Sequence, residues 1–381
     1  MDNNAKRWIF SLLSLVLLAP ILQYHLAFVK SGRLYGWFVN APDVDFSWKT
    51  WMDGSYGEAK AKYVNDAMGF RPDLVRLNNQ IYYTAFGKLR SSFLVLGRDH
   101  CLFEKGHIDA YNGKDFIGRT KIIDNVRKLK AIQDTLARLG KTFILIQAPG
   151  KAFYYPELIP APLLKTPRDS TNYSAYSRVA DSLGINQIDF NKWFVAQKPI
   201  CTESLYPKQG THWSLYGALL AGDSLVRYME QARHITMSHP AWTKVLRTHD
   251  AIKSDNDIAL TLNLILPLSG EVLTYPGISY PIGATLVKPK VVYIGDSFLF
   301  QWKTLGLLDN TNTDWQIWYY FNSIYGTYTP ELQSDHPITD KDFINGLASA
   351  DCIVVLYTAS NLADLGNGFI EKAYHHYYPA K

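Results

Sequence analysis

The hydrophobic pattern of the chain begins with one long apolar stretch. Residues 8–22 (WIFSLLSLVLLAPIL) carry no charge, and the apolar character continues to Val29. The stretch of about 22 residues is close to the ~20 that a membrane-spanning helix needs. Lys6 and Arg7 precede it, on the side that is expected to stay in the cytoplasm. The pattern predicts a transmembrane helix over residues 8–29, after a cytoplasmic tail of residues 1–7.

Two interpretations of this helix compete. A cleaved signal peptide has a shorter apolar core and a small-residue cleavage site, and no convincing site of that kind is present. We therefore favour an uncleaved signal anchor, while cleavage stays open. Both interpretations export the rest of the chain, which contains no second apolar run long enough to span a membrane.

Behind this helix, two periodicities alternate along the chain. Apolar residues three and four positions apart predict helices, over residues 56–87, 122–136, 172–183 and 214–232. Short apolar runs predict strands, over residues 93–96, 142–148, 185–190, 291–295, 315–320 and 352–357. The run TFILIQA (142–148) has to be buried on both faces, as in the centre of a parallel sheet. The alternation predicts a three-layer α/β fold with a mainly parallel central sheet.

Two segments interrupt this alternation. Residues 30–55 are rich in tryptophan and irregular, which indicates a membrane-proximal connector. Residues 234–285 are also less regular, and we interpret them as an insertion. We therefore assign residues 56–381 to the folded domain.

Composition narrows the classes of function. With 47% hydrophobic and 19% charged residues, the chain is neither disordered nor fibrous. The net charge of +5 comes without a dense Lys/Arg block, so nucleic-acid binding has little support. Cys101, Cys201 and Cys352 fit no zinc site or redox pair, and both one disulfide and three free thiols stay open. The sequence has no phosphate loop, dinucleotide fingerprint or metal-ligand cluster, so we expect no cofactor.

The candidate nucleophile is the serine of Gly295-Asp296-Ser297-Phe298, which directly follows the strand VVYI. This places Ser297 at the carboxyl end of a central strand, where α/β folds build their sites. Gly295 is expected to permit a tight turn, so that the hydroxyl projects and the Ser297 amide faces an incoming oxyanion. Taken alone, the tripeptide also fits an ordinary turn.

A serine nucleophile needs a base, and Gly210-Thr211-His212-Trp213-Ser214 supplies a candidate. His212 lies where a loop is predicted to meet a helix, so it can lean over Ser297. A lone histidine is usually a surface or hydrogen-bonded residue. The presence of the Gly-Asp-Ser motif favours a catalytic pair of Ser297 and His212 instead.

Five motifs in a shared order resemble the periplasmic SGNH-hydrolase-like O-acetyltransferases of the alginate acetylation type, the AlgJ and AlgX group. They are scattered over most of residues 50–300: Tyr63-x-x-Asp66-x-x-Gly69-Phe70-Arg71; Leu96-Gly97-Arg98-Asp99-His100-Cys101-Leu102-Phe103; Pro149-Gly150-Lys151 with Tyr155-Pro156-Glu157; Thr211-His212-Trp213; and Gly295-Asp296-Ser297-Phe298. Each motif is weak alone. Their order, with the histidine before the serine, is more specific.

The resemblance implies an SGNH-like fold for residues 56–381 and a mechanism. Ser297 would carry an acetyl group as an ester, and His212 would take the serine proton and later deprotonate a sugar hydroxyl. The protein would sit in the inner membrane with its bulk in the periplasm and acetylate an exported cell-surface polysaccharide. Its acetyl groups would come from a multi-pass membrane acyltransferase of the MBOAT class.

The chain departs from the family two residues before His212, where Gly210 replaces the usual orienting aspartate. Losing that carboxylate costs about 10⁴ in rate where a triad depends on it. Another acid such as Glu203 could orient the ring, a backbone carbonyl could do so, or the domain could be a binding or assembly subunit without catalysis. A polysaccharide acetylesterase with the same Ser297 and His212 is a further alternative, because only exclusion of water separates the two reactions.

Three other residues are candidates for the oxyanion site or for substrate contact. Asn322 and Tyr325 follow the predicted strand 315–320, and turn or surface structure is their alternative interpretation. Lys151 follows the buried strand 142–148, so it could contact an acidic sugar or a partner at the rim of the site. Its alternative is a solvated loop lysine. The Asp296 side chain is expected to point away from the histidine.

Overall fold

The computed structural model describes residues 2–36, 39–165, 170–326 and 336–379. Two compact units are present: residues 1–92 with 258–268, and residues 93–257 with 269–381. The unit that contains the central sheet begins at Phe93, and the expected segment boundaries at residues 7, 29 and 55 stay predictions. Residues 37 and 38 of the predicted connector lie outside the described residues.

The first unit is helical. Its helices are α1 (Asn3–Leu26), α2 (Trp48–Met52), α3 (Ser55–Ala67) and α4 (Arg71–Phe86), so the helical prediction over residues 56–87 is confirmed. Within the described residues, α1 alone has the length and apolar composition to cross a membrane. It ends where Ala27 turns left-handed and its N–H bonds the Gln23 carbonyl, while the Gln23 side chain bonds Val29.

The second unit is built on a seven-stranded sheet with the strand order β10-β9-β8-β7-β11-β3-β4. The strands β8, β7, β11, β3 and β4 are parallel, and β9 and β10 add an antiparallel edge. Two further antiparallel pairs, β1–β2 and β5–β6, lie outside this sheet. The strands are β1 (Leu94–Leu96), β2 (Leu102–Glu104), β3 (Thr142–Ala148), β4 (Gln187–Asp189), β5 (Ala241–Thr248), β6 (Leu273–Ser279), β7 (Lys290–Gly295), β8 (Asp314–Tyr319), β9 (Ser323–Gly326), β10 (His336–Pro337) and β11 (Cys352–Thr358). The predicted mainly parallel sheet is confirmed.

Both faces of this sheet are buried, because successive side chains of β3, β7 and β11 enter two separate cores. The helices are α5 (Lys105–Asn112), α6 (Arg119–Arg138), α7 (Lys151–Tyr154), α8 (Asn172–Ser182), α9 (Phe190–Gln197), α10 (Leu215–Arg233), α11 (Asp257–Thr261), α12 (Leu299–Thr304), α13 (Leu307–Thr311), α14 (Asp340–Ser349) and α15 (Phe369–Tyr377). One core packs against α9, α10 and α12, and the other against α6, α8, α14 and α15. The expected three layers are present.

Two local predictions differ from the structure. The strand expected over residues 185–190 ends at Asp189, because the Asp189 carboxylate accepts the Lys192 N–H at 2.8 Å and starts α9. The segment 234–285 contains the β5–β6 pair, joined through a 3₁₀ turn at Lys253–Asn256 and α11. Most side chains of β5 are exposed, so this strand leaves no apolar period in the sequence.

Candidate active site

The strand β7 lies between β11 and β8 and ends at Gly295, and Ser297 lies in the turn that leads to α12. In this turn the Phe298 N–H donates to Asp296 Oδ1 at 3.2 Å. Among the described residues, no group accepts a hydrogen bond from the Ser297 N–H. The serine thus presents a hydroxyl and an available amide at the carboxyl edge of the sheet, as an oxyanion site requires.

Gly295 is needed for close packing. A Cβ at this position would lie 2.2 Å from the Leu356 carbonyl oxygen on the neighbouring strand β11, and the backbone of Gly295 is not left-handed. The expected turn follows Gly295 directly, but it does not use a left-handed backbone at this glycine. Its role is to let β7 and β11 approach each other just before the serine.

The predicted pair of Ser297 and His212 is brought together. His212 Nε2 lies 2.8 Å from Ser297 Oγ. The histidine stands at the loop that enters α10, where Ser214 Oγ caps the helix by accepting the Gly217 N–H at 2.9 Å. The Phe298 ring packs beside the imidazole with a centroid distance of 5.0 Å, which limits its movement.

The other imidazole nitrogen faces a carboxylate that the sequence analysis missed. His212 Nδ1 lies 2.6 Å from Asp257 Oδ2, and Asp257 Oδ1 accepts the Thr211 N–H at 2.8 Å. With Nδ1 donating to Asp257, Nε2 is free to accept the Ser297 proton. Ser297, His212 and Asp257 have the contacts of a serine–histidine–aspartate triad.

Neither expected substitute for the family aspartate orients His212. Glu203 binds Arg247, with Oε1 2.5 Å from Nη2, and accepts the Thr274 hydroxyl. The alternative that a backbone carbonyl orients the ring is also wrong, because His212 Nδ1 faces Asp257. The acid comes from 45 residues after the histidine, in the segment between β5 and β6.

Gly210 and the position of Asp257 are parts of one arrangement. A Cβ on Gly210 would lie 2.8 Å from Pro207 Cγ and 2.9 Å from the Asp255 carbonyl oxygen. The absence of a side chain at position 210 therefore lets the backbone that carries Asp257 lie against the histidine loop. The space that a side chain at position 210 would need is thus filled by the backbone of the segment that carries Asp257.

Nearby charges favour the protonated form of His212. Burial lowers the pKa of His212, but the charge and hydrogen bond of Asp257, with the charges of Asp296 and Glu104, outweigh it and raise the pKa above its ordinary value. The His212 imidazole is thereby a stronger base than a free histidine.

Asp255, two residues before Asp257, accepts the Leu215 N–H at 3.1 Å at the start of α10, and burial raises the pKa of Asp255 to about 7.

The Asp296 side chain points away from His212, as expected. Its Oδ2 accepts the Thr358 N–H at 2.8 Å and the Asn361 side-chain N–H at 2.9 Å. Burial raises the pKa of Asp296. These bonds join the turn of Ser297 to the end of β11 and hold the nucleophile in place.

Lys151 is neither at the rim of the site nor a solvated loop residue. Its side chain is fully buried, and Nζ donates to the carbonyls of Lys208 at 2.8 Å and Gly210 at 2.6 Å. Its backbone N–H donates to His107 Nδ1 at 3.2 Å. Because Lys151 is enclosed, the expectation of direct contact with an acidic sugar is wrong.

Asn322 and Tyr325 make contacts with residues other than the triad. Asn322 is exposed in the turn between β8 and β9, where its N–H donates to the Tyr319 carbonyl at 3.0 Å. Tyr325 is buried and packs against Phe300 with a centroid distance of 5.0 Å. These contacts are those of turn and core residues, and they give no support to an oxyanion or substrate role.

Metal-binding groups and cysteines were the other side chains considered for a functional role. Over the described ranges, no group of three or more His, Cys, Asp or Glu side chains is arranged to hold a metal ion. Cys101, Cys201 and Cys352 are all free thiols, and Cys101 and Cys352 are buried.

Comparison with known proteins agrees with the motifs. Residues 94–264 match the family described as "SGNH hydrolase-like domain, acetyltransferase AlgX". The match spans a little under half of the chain; it includes His212 and Asp257 and ends before Ser297. No curated protein sequence matches the chain.

Three solved structures illustrate the likeness. The O-acetyltransferase domain of Pseudomonas putida AlgJ has a TM-score of 0.48 and 17% identity, with 74% of this chain and 99% of that chain covered. Pseudomonas aeruginosa AlgX has a TM-score of 0.45 and 16% identity, with coverage of 72% and 67%. Bacillus cereus PatB1 has a TM-score of 0.41 and 13% identity, with coverage of 64% and 91%. On the family match, the chain contains an SGNH hydrolase-like domain and resembles the O-acetyltransferases of the AlgJ and AlgX type.

Proposed function

We propose that this protein is an O-acetyltransferase that carries an acetyl group on Ser297 and delivers it to hydroxyls of an exported polysaccharide. One observation carries the proposal: Ser297 Oγ, His212 and Asp257 are connected through distances of 2.8 and 2.6 Å. The match to an acetyltransferase family supports acetyl transfer as the class of reaction.

In the first half-reaction, Ser297 Oγ attacks the carbonyl carbon of an acetyl donor while His212 Nε2 takes the hydroxyl proton. The Ser297 N–H stabilises the developing oxyanion, and Asp257 stabilises the imidazolium. The donor's leaving group departs with the proton from His212, and an acetyl ester remains on Ser297.

In the second half-reaction, a sugar hydroxyl attacks the ester. His212 Nε2 removes the hydroxyl proton as the new carbon–oxygen bond forms, and returns it to Ser297 Oγ when the ester bond breaks. The sugar leaves as its acetate, and the free serine is restored. Water in place of the sugar hydroxyl would make the protein an acetylesterase.

The setting of the reaction belongs to the same proposal. The apolar helix α1 is compatible with a signal anchor that holds the domain at the outer face of the inner membrane. A tethered transferase would receive acetyl groups from an MBOAT-type membrane acyltransferase. Gly210 favours the alternative of a non-catalytic polysaccharide-binding or assembly subunit, whereas the contact between His212 and Asp257 supports catalysis.

The first test is covalent labelling of the full chain in detergent with a serine-directed fluorophosphonate, with the adduct located by mass spectrometry. We expect an adduct on Ser297 that is lost in Ser297→Ala and His212→Ala. His239→Ala is the matched control, because His239 bonds two carboxylates, Asp223 at 2.6 Å and Glu230 at 2.9 Å, outside the triad.

The second test is acetyl partition. A small aryl acetate loads the enzyme, and acetate release is compared with acetylation of an added oligosaccharide. Transfer to the saccharide is expected. Absence of an adduct in folded protein would overturn the acyl-enzyme, and acetyl loss to water alone would favour the esterase.

A further inference from the structure

Lys151 is a buried charge-bearing side chain with no direct part in the proposed reaction. It is fully enclosed, and its Nζ is 5.9 Å from the ring centroids of both Phe103 and Tyr206. Among the described residues, no carboxylate lies within ion-pair distance of Nζ. A lysine without a close counter-ion is costly to bury, so its hydrogen bonds have to account for its place.

Both hydrogen bonds of Nζ go to the loop that presents His212. The acceptors are the carbonyls of Lys208, at 2.8 Å, and Gly210, at 2.6 Å. Gly210 is two residues before the imidazole, and a Cβ at this position would lie 2.9 Å from the Asp255 carbonyl oxygen. Lys151 therefore binds the loop at the place where it meets the segment that carries Asp257.

The Gly210 carbonyl is the part of the loop that depends on Lys151, because the Lys208 carbonyl also accepts the Leu102 N–H at 2.8 Å. Thr211, the next residue, is held through its N–H by Asp257 and through its hydroxyl by Glu104 at 2.9 Å. Its carbonyl accepts the Tyr206 hydroxyl at 2.6 Å. Among the described residues, Lys151 Nζ is the donor that holds the Gly210 carbonyl.

We propose that Lys151 is a positioning residue for the catalytic base: it holds the Lys208–Gly210 backbone so that His212 contacts Asp257 and Ser297 together. The inference rests on the proposed function for its catalytic meaning. Its structural content, that Lys151 controls the contact between His212 and Asp257, can be measured without any substrate.

The test replaces Lys151 with methionine, which fills a similar volume and donates no hydrogen bond. Lys141→Met is the matched control, because Lys141 Nζ also donates to two backbone carbonyls, Ala348 at 2.7 Å and Ala350 at 2.6 Å. Those carbonyls are not part of the histidine loop. The thermal midpoint of each variant shows what the loss of such a two-carbonyl contact costs the fold.

The decisive measurement is the His212 pKa, followed by NMR on the full chain labelled with ¹⁵N-histidine and assigned with His212→Ala. Asp257, Asp296 and Glu104 raise this pKa against burial. Lys151 also interacts electrostatically with Asp257, so loss of its positive charge alone would raise the His212 pKa. In Lys151→Met the looser contact with Asp257 should outweigh this effect and lower the pKa, and Lys141→Met should leave it unchanged. The rate of fluorophosphonate labelling of Ser297 should fall about ten- to a hundredfold. In a plot of this rate against pH, the fall on the acidic side should move to lower pH.

An unchanged His212 pKa in folded Lys151→Met would overturn the inference, as would a labelling loss that only follows the folded fraction. If Lys151→Met does not fold, Lys151→Gln, which keeps one donor group, should give an intermediate pKa shift. If the wild type does not label while the Lys151 variants still shift the pKa, the proposed function fails and the positioning role stands.

Discussion

The substitution Gly210→Asp returns a carboxylate to the position where the resembled family carries it. If that position alone mattered, the variant would react at least as fast as the wild type. The structure predicts the opposite, because the Asp255 backbone occupies the space that a side chain at position 210 needs. The added carboxylate would also repel Asp257.

The distances set the size of the effect. A Cβ at position 210 would lie 2.9 Å from the Asp255 carbonyl oxygen, where ordinary contacts begin near 3.4 Å. The segment would have to withdraw by about half an ångström, and Asp257 is two residues further along. Since a misplacement of 1 Å costs about 10² in rate, we expect roughly a tenfold loss for Gly210→Ala and a larger one for Gly210→Asp. Overpacking of this kind also costs about 1–3 kcal/mol of stability.

The assay is the rate of fluorophosphonate addition to Ser297, with the folded fraction measured in parallel. Gly57→Asp is the control, because a Cβ on Gly57 in helix α3 meets no atom within 4 Å. The double variant Gly210→Asp/Asp257→Asn tests whether the two acids are interchangeable. Labelling in the double variant at the wild-type rate would refute the reasoning.

Three further results are expected. Asp257→Asn should reduce Ser297 labelling by about 10⁴ and move its acidic limb to lower pH, because Asp257 raises the His212 pKa; an unmoved limb would contradict this. Burial raises the pKa of Asp255 from 3.8 to about 7, so the folded protein should lose stability as the pH rises from about 4 to 7. Chemical denaturation should therefore show the free energy of unfolding of Asp255→Asn rising relative to that of the wild type by on the order of 4 kcal/mol across that range. A difference that stays constant with pH would contradict this. Gly295→Ala should lower both the thermal midpoint and the labelling rate, because its Cβ would lie 2.2 Å from the Leu356 carbonyl; wild-type behaviour in both would exclude that clash.

The central sheet was accessible from the sequence because of how its strands are buried. The strands β3, β7 and β11 are covered on both faces, so each leaves a continuous apolar run. The strand β5 is held mainly by backbone pairing to β6 and exposes most of its side chains. Because backbone pairing of that kind leaves no hydrophobic pattern, residues 234–285 look irregular in the sequence.

The triad was accessible only in part, for a related reason. Ser297 and His212 each stand next to a regular element, and local pattern therefore points to both. Asp257 reaches the histidine from 45 residues away, through a packing contact that no local spacing encodes. Two acids close together, Asp255 and Asp257, were the available signal within that irregular segment.

Lys151 shows the limit of residue statistics. Lysine is rarely fully buried, so a lysine after a Pro-Gly turn suggests solvent. Two backbone carbonyls of a distant loop accept its N–H groups, and such acceptors have no trace in the sequence.

The free thiols give the protein one chemically addressable position. Burial raises the pKa of Cys101 to about 11 and that of Cys352 to about 12. At neutral pH the reactive thiolate of Cys101 is then roughly one part in ten thousand, and neither thiol is open to a reagent. Cys201 is partly exposed, in the loop after α9. A maleimide dye should therefore modify the unaltered chain at a single site, which allows the protein to be attached to a surface or followed in a single-molecule experiment without mutation.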